Sequence, residues 1–255
     1  MSRSSLVLAV LVSFRILSAQ PPAYTADSIV NASDYSAGPF APNSVLSIFG
    51  SNLSWGTAAF SPQTGDVSLP MELSNVQVGV DTWPAPLLYV SPTQINFLIP
   101  STEVSGNAVV RVVREGVAGP PVAITVVASA PALFSTSAGF AIATHLDGSL
   151  LTDASPGQPG EFVVVYATGL GPTDPNPPSG DIPSTAAAVD PSNGLNVSLN
   201  GAVLPTALVP YAGVSPGYAG LYQLNIQLPQ GVPNDPVILV SAGTQCSGSL
   251  KLAVQ

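Results

Sequence analysis

A ten-residue stretch occurs twice in this chain and limits what it can fold into. Ser91-Pro92-Thr93-Gln94-Ile95-Asn96-Phe97-Leu98-Ile99-Pro100 returns as Gly220-Leu221-Tyr222-Gln223-Leu224-Asn225-Ile226-Gln227-Leu228-Pro229. Gln94, Asn96 and Pro100 reappear as Gln223, Asn225 and Pro229, each 129 positions later (223 − 94). Alternate residues are apolar in both copies: Ile95, Phe97 and Ile99, then Leu224, Ile226 and Leu228. A period of two is the mark of a strand with one buried face. The closing proline has no N–H for a ladder and ends the strand. Self-similarity at a fixed distance means an internal repeat.

A second anchor strengthens the repeat. The stretch from Ala41 to Leu53 matches Gln158 to Leu170, with Pro42 and Leu53 meeting Pro159 and Leu170 at a spacing of 117 (170 − 53). Val76–Val80 matches Leu195–Leu199, and each copy of the anchor is followed by a long loop of small residues and prolines. Since the spacing grows from 117 to 129, the second copy carries about a dozen extra residues, part of them in Tyr211–Gly220. Asp147-Gly148 between apolar runs predicts a hairpin over 140–151. With 27 prolines and 23 glycines, long helices are disfavoured and short strands joined by turns are favoured. The expected architecture is all-β: two tandem immunoglobulin-like β-sandwiches over 24–128 and 129–255, the second with an extra N-terminal hairpin, joined through a hinge at Ala128–Ala132.

Charge narrows the function. Only 7% of residues are charged, and the formal net charge is −9. Nucleic acid is excluded as a partner, because phosphate binding needs clustered Lys and Arg. Arg3, the apolar run Leu6–Phe14 and Leu17-Ser18-Ala19 before Gln20 read as a secretory signal over 1–19, cut after Ala19. No later stretch is apolar enough to span a bilayer. Cys246 is the sole cysteine, so no intrachain disulfide forms.

Several stretches together are familiar. Ala41–Leu53, Pro84-Ala85-Pro86-Leu87-Leu88-Tyr89-Val90-Ser91-Pro92-Thr93-Gln94-Ile95-Asn96-Phe97, Thr168-Gly169-Leu170-Gly171-Pro172 and Gly220–Asn225 resemble the Solibacter-type uncharacterised C-terminal domain family of Acidobacteria. The resemblance runs from Ile29 to Val254. It implies tandem modules of the IPT/TIG immunoglobulin-like kind on exported proteins, and it supplies no catalytic residues.

Reactive chemistry finds little support. Gly213-Val214-Ser215-Pro216-Gly217 fits the G-x-S-x-G pattern, but no helical pattern follows it and Pro216 lacks the N–H an oxyanion hole would use. His145 is the only histidine, so a triad would have to use it and a histidine-rich metal site is ruled out. No metal ligand set and no cofactor motif stands out. Gln94, Asn96, Gln223 and Asn225 are expected to be structural, their amides tying neighbouring loop backbone. Tyr89 and Tyr222 are expected to assist them through their hydroxyls. Trp55, Phe60, Trp83, Tyr211 and Tyr218 lie in or near loops, and aromatics among uncharged amides suit recognition of an extracellular polysaccharide or a surface protein. The expected function is a non-catalytic binding or adhesion module at the cell surface or in the periplasm. A structural spacer is the rival, and a hydrolase a distant third.

Overall fold

The computed structural model describes residues 20–63 and 65–255, so the segment read as a secretory signal lies outside the described residues. The described chain is built of strands, with short 3-10 turns and no α-helix. Among the described residues, no helix is long and apolar enough to cross a membrane.

The first unit holds ten strands: β1 (Ile29–Asn31), β2 (Val45–Phe49), β3 (Ala58–Ala59), β4 (Val76–Val80), β5 (Trp83–Pro84), β6 (Leu87–Val90), β7 (Gln94–Leu98), β8 (Gly106–Arg114), β9 (Val117–Ala118) and β10 (Val122–Val126). They form two antiparallel sheets. One runs β1-β2-β7-β6-β3; the other runs β10-β8-β4-β5, with β9 on β8. Alternate residues of each strand point into the space between the sheets, where Leu46, Ile48, Ile95 and Phe97 meet Val76, Val78, Val110 and Val112. Burial of these side chains is the main force holding the sheets together.

The second unit repeats the plan with β11 (Ala132–Leu133), β12 (Ala143–His145), β13 (Phe162–Thr168), β14 (Thr173–Asp174), β15 (Ala188–Val189), β16 (Asn196–Leu199), β17 (Ala202–Val203), β18 (Tyr211–Val214), β19 (Tyr222–Gln227), β20 (Val237–Ala242), β21 (Gln245–Cys246) and β22 (Leu250–Lys251). Its sheets are β11-β13-β19-β18-β15-β14, with β12 on β13, and β17-β16-β20-β21, with β22 on β20. Its core gathers Val163, Val165, Leu224, Ile226, Val197, Ile238 and Val240. The molecule is thus an all-β protein of two tandem immunoglobulin-like sandwiches.

Register makes the repeat physical. Phe49 faces Gln94 and Ser47 faces Asn96 across β2 and β7. Tyr166 faces Gln223 and Val164 faces Asn225 across β13 and β19. These partners are the ones the two sequence offsets demand. A slip of one residue would turn every side chain to the wrong face.

The hairpin expected over 140–151 forms: it turns at Asp147-Gly148, with His145 N donating to Ser149 O and Leu151 N to Ala143 O, both at 2.9 Å, while the other edge of its first arm, β12, pairs with β13. Two local expectations need correction. The loop after Leu53 contains β3, paired with β6. The stretch read as a hinge is packed into the second unit: Ala130 is buried, its N–H donates to the Gly169 carbonyl at 2.9 Å, and β11 begins at Ala132.

The units meet along a shared seam. Thr168 Oγ1 accepts from the Val45 N–H at 3.2 Å and donates to the Gly220 carbonyl at 2.9 Å. The long loops that follow β2 and β13 pair with each other through Leu69 N to Gly180 O (2.9 Å) and Ile182 N to Val67 O (2.8 Å). Leu69, Leu98, Ala219, Val45, Phe60, Leu88 and Ile182 form an apolar cluster there.

Candidate functional site

The five loop aromatics do not converge on one surface. Trp55 lies under the Arg114 guanidinium, 3.8 Å from its ring centroid, and its indole N–H donates to Glu115 at 2.9 Å. Phe60 is packed in the seam cluster instead of facing outward, because its loop folds back against the second unit. The Tyr211 hydroxyl is spent on backbone, donating to the carbonyls of Val214 (2.7 Å) and Ala187 (3.2 Å). Trp55, Trp83 and Tyr218 are all largely exposed, at 58%, 48% and 62%. Trp83 and Tyr218 each line a different depression, one in each unit.

The amide pairs bond to each other. Gln94 Nε2 donates to Asn96 Oδ1 at 2.9 Å, and Gln223 Nε2 donates to Asn225 Oδ1 at 2.9 Å. The expected ties to loop backbone are replaced by a bond along the strand, since i and i+2 share a face. Ser215 adds its Oγ to Gln223 Oε1 at 2.9 Å, and Ser47 adds its Oγ to Asn96 Oδ1 at 2.9 Å. Tyr222 is not beside them. It is fully buried, its hydroxyl donates to the Gly171 carbonyl at 2.9 Å, and burial drives its ionisation well above the usual tyrosine range. The residue that flanks Asn225 as Tyr89 flanks Asn96 is Tyr211.

The hydrolase arrangement is not assembled. Ser215 is buried and held by Gln223, whereas His145 is bound elsewhere, by Glu161 and Ser155. His145 Nδ1 lies 2.5 Å from Glu161 Oε1, and Nε2 lies 3.2 Å from both the carbonyl and the hydroxyl of Ser155. A carboxylate only accepts, so Nδ1 carries the proton shared with Glu161; Nε2 donates to the Ser155 carbonyl when the ring is protonated and accepts from the Ser155 hydroxyl when it is neutral. The Glu161 hydrogen bond, above all, raises the His145 pKa; partial burial opposes it less strongly, and Ser155 and Asp147 add to the rise. A raised folded pKa gives stability that is present in full below the unfolded value near 6.5 and lost as pH rises through the folded value. His145→Asn is therefore expected to lower the melting temperature at pH 5.5, with the deficit shrinking toward pH 9. An NMR titration midpoint for His145 at or below 6.5 would contradict the pairing.

The groove beside Trp83 is the best-furnished depression. It encloses about 720 Å3 and is lined by Asp81, Thr82, Trp83, Thr102, Glu103, Val104, Val109 and Arg111. The β4–β5 hairpin turns at Asp81, whose φ of 49° is the left-handed value that Asp and Asn tolerate. Asp81 N donates to Val109 O at 2.8 Å and its Oδ1 accepts from Val109 N at 2.7 Å. Arg111 is exposed and forms no ion pair among the described residues. Glu103 is buried, and its Oε2 has no hydrogen-bond partner among them.

The second unit supplies an internal control. Its β16–β17 hairpin turns at Asn200, with φ 48°. Asn200 N donates to Val237 O at 2.7 Å and its Oδ1 accepts from Val237 N at 2.8 Å. The scaffold is the same to the hydrogen bond. Yet Ala202 stands where the first unit has Trp83, facing Leu199 as Trp83 faces Val80. Leu239 stands where it has Arg111, facing Ser198 as Arg111 faces Gly79. The fold requires neither Trp83 nor Arg111. Sequence reasoning singled out Trp83 but not Arg111, Asp81 or Glu103; aligning β8 with β20 would have exposed the Arg111/Leu239 contrast.

Comparison with known proteins yields no matching family model and no matching curated sequence. Among solved structures, the chain is similar to the surface glycan-binding protein PbSGBP-B from Prevotella bryantii, at 12% identity and a TM-score of 0.29, over 92% of this chain and 43% of that one. It is also similar to SGBP-B of the Bacteroides ovatus mixed-linkage glucan utilization locus, solved with a mixed-linkage heptasaccharide: 10% identity, TM-score 0.35, 96% of this chain and 49% of that one. The tandem Ig repeats of Dlar align at 12% identity and a TM-score of 0.22, over 84% of this chain and 91% of that one. The chain spans less than half the length of the two glycan-binding proteins, and no residue role is carried over from any of the three.

Proposed function

We propose that this chain is an exported, non-catalytic binding module that holds a polysaccharide in the Trp83 groove of its first unit. The observation that carries the reading is the Trp83/Arg111 pair on a hairpin whose twin has Ala202 and Leu239. The second unit builds the same hairpin with neither an indole nor a guanidinium at these positions. An indole face stacks on the C–H face of a sugar ring. Arg111, Thr82 and Thr102 bring donors and acceptors for hydroxyl groups. Export rests on the leader-like 1–19 segment, and membership of the Solibacter-type domain family is part of the same reading. The spacer reading keeps one observation of its own, the seam against which Phe60 packs between the units.

The double variant Trp83→Ala, Arg111→Leu installs the second unit's residues. We expect retention of residues 20–255 in affinity gels cast with neutral polysaccharides to fall about tenfold, the scale of losing one interface hot spot. The melting temperature should stay unchanged. Equal retention of variant and parent on every binding polymer would remove the groove from the reading. No retention of the parent on any of them would leave the spacer.

A further inference from the structure

Two of the segments in which the second unit is longer than the first come together. One is the segment after β11 that includes Phe134 and Ile142 and leads into the turn at Asp147-Gly148. The other lies between Ser215-Pro216 and Gln223, where the first unit passes from Ser91-Pro92 to Gln94 through Thr93 alone; it carries Tyr218 and Leu221. Phe134, Ile142, Tyr218 and Leu221 line a groove of about 310 Å3 around Tyr166 of β13. Tyr166 is the register counterpart of Phe49, whose ring in the first unit lies 6.1 Å, centroid to centroid, from that of Tyr35. Chain segments separated by some eighty positions of sequence thus meet on one face that the repeat itself does not need.

We infer that this groove is a second, separate binding site, taking the C–H face of a neutral sugar ring. The size suits a small ligand site. Three aromatic rings, Phe134, Tyr166 and Tyr218, offer faces for stacking. No charged side chain lines the groove in a chain of net charge −9, so an anionic ligand gains nothing locally and is repelled at long range. A purely apolar occupant would leave the rim unused: the Tyr218 hydroxyl has no protein partner among the described residues, and Gln223, opposite Tyr166, shares the face. A ring with an apolar face and hydroxyl edges matches both features. The inference shares the polysaccharide class with the Trp83 reading but stands on different residues, so each can fail alone.

The test uses residues 20–255 with cellohexaose, laminarihexaose and mannohexaose as neutral probes and trigalacturonate as the charged one. Parent, Tyr218→Ala, Trp83→Ala and the double variant are titrated by calorimetry. Tyr218 is exposed, so its removal leaves the core intact. For a neutral probe the expected result is that Trp83→Ala retains one weak site, and that adding Tyr218→Ala lowers its affinity by about tenfold or more. The inference is overturned if Tyr218→Ala changes no neutral-probe affinity, whatever Trp83→Ala does. It is also overturned if trigalacturonate binds better at the Tyr218 site, or if Tyr218→Ala alters only self-association in sedimentation. If Trp83→Ala has no effect while Tyr218→Ala abolishes binding, the second site stands and the first does not.

Discussion

Arg114→Ala is expected to cost about 3–5 kcal/mol of unfolding free energy, the largest effect of any single truncation in the first unit. Arg114 is the last of the inward series Ala108, Val110, Val112, Arg114 on β8, and it is fully buried. Its guanidinium has no carboxylate partner among the described residues; the cation is stabilised by carbonyl dipoles and an aromatic face. Nη1 donates to the Asn52 carbonyl and Nη2 to the Gln20 carbonyl at 2.6 Å, while the Trp55 ring covers the guanidinium plane at 3.8 Å. Charge-assisted bonds of this kind contribute about 1.5–3 kcal/mol each. Truncation removes them, opens a cavity and frees Trp55. The relief of desolving the cation offsets part of the loss, which is why Arg114→Met, keeping volume without charge, should recover some stability. Denaturant unfolding followed by tryptophan fluorescence measures both. A loss below about 1 kcal/mol for the alanine variant would mean the guanidinium is not a structural anchor.

The second large effect concerns the seam. Gly220→Ala is expected to destabilise by about 2–4 kcal/mol, combining a left-handed backbone penalty with overpacking. Gly220 has φ +75°, and a Cβ there would stand 2.3 Å from Leu98 Cδ2 and 3.0 Å from Val45 Cγ2, both across the seam. Its carbonyl also accepts the Thr168 hydroxyl. Gly217→Ala in the same loop is the control: its φ is +88°, but nothing lies within 4 Å, so only the backbone term of about 1–2 kcal/mol applies. Small-angle scattering should find a broader distribution of shapes for Gly220→Ala than for Gly217→Ala. Indistinguishable profiles and equal melting temperatures would show that the seam tolerates the methyl group.

Much of this architecture was legible from residues alone, for a definite reason. A strand's side-chain period is two, so a repeated alternating segment announces both the strand and its buried face. The offsets of 117 and 129 carry the β2–β7 register over to β13 and β19, and the observed pairings agree. The amide pairs were visible as pairs, but their bond to each other was not, because sequence does not say which of several acceptors a side-chain amide will reach. Tyr211 was hidden as the twin of Tyr89 because the insertion after Pro216 shifts the alignment between them. Arg114 was in phase with three buried residues, yet an arginine is usually exposed, and only carbonyls from distant loops made its burial tolerable.

By itself the amino-acid order determined the class of fold, its duplication and the poverty of reactive groups, since these follow from local periodicity and composition. Which aromatics meet solvent, which are shut in the seam, and which polar groups gather beside Trp83 or Tyr166 were decided only when distant strands paired. Those outcomes depend on contacts between segments far apart in the chain, and no short-range pattern encodes them.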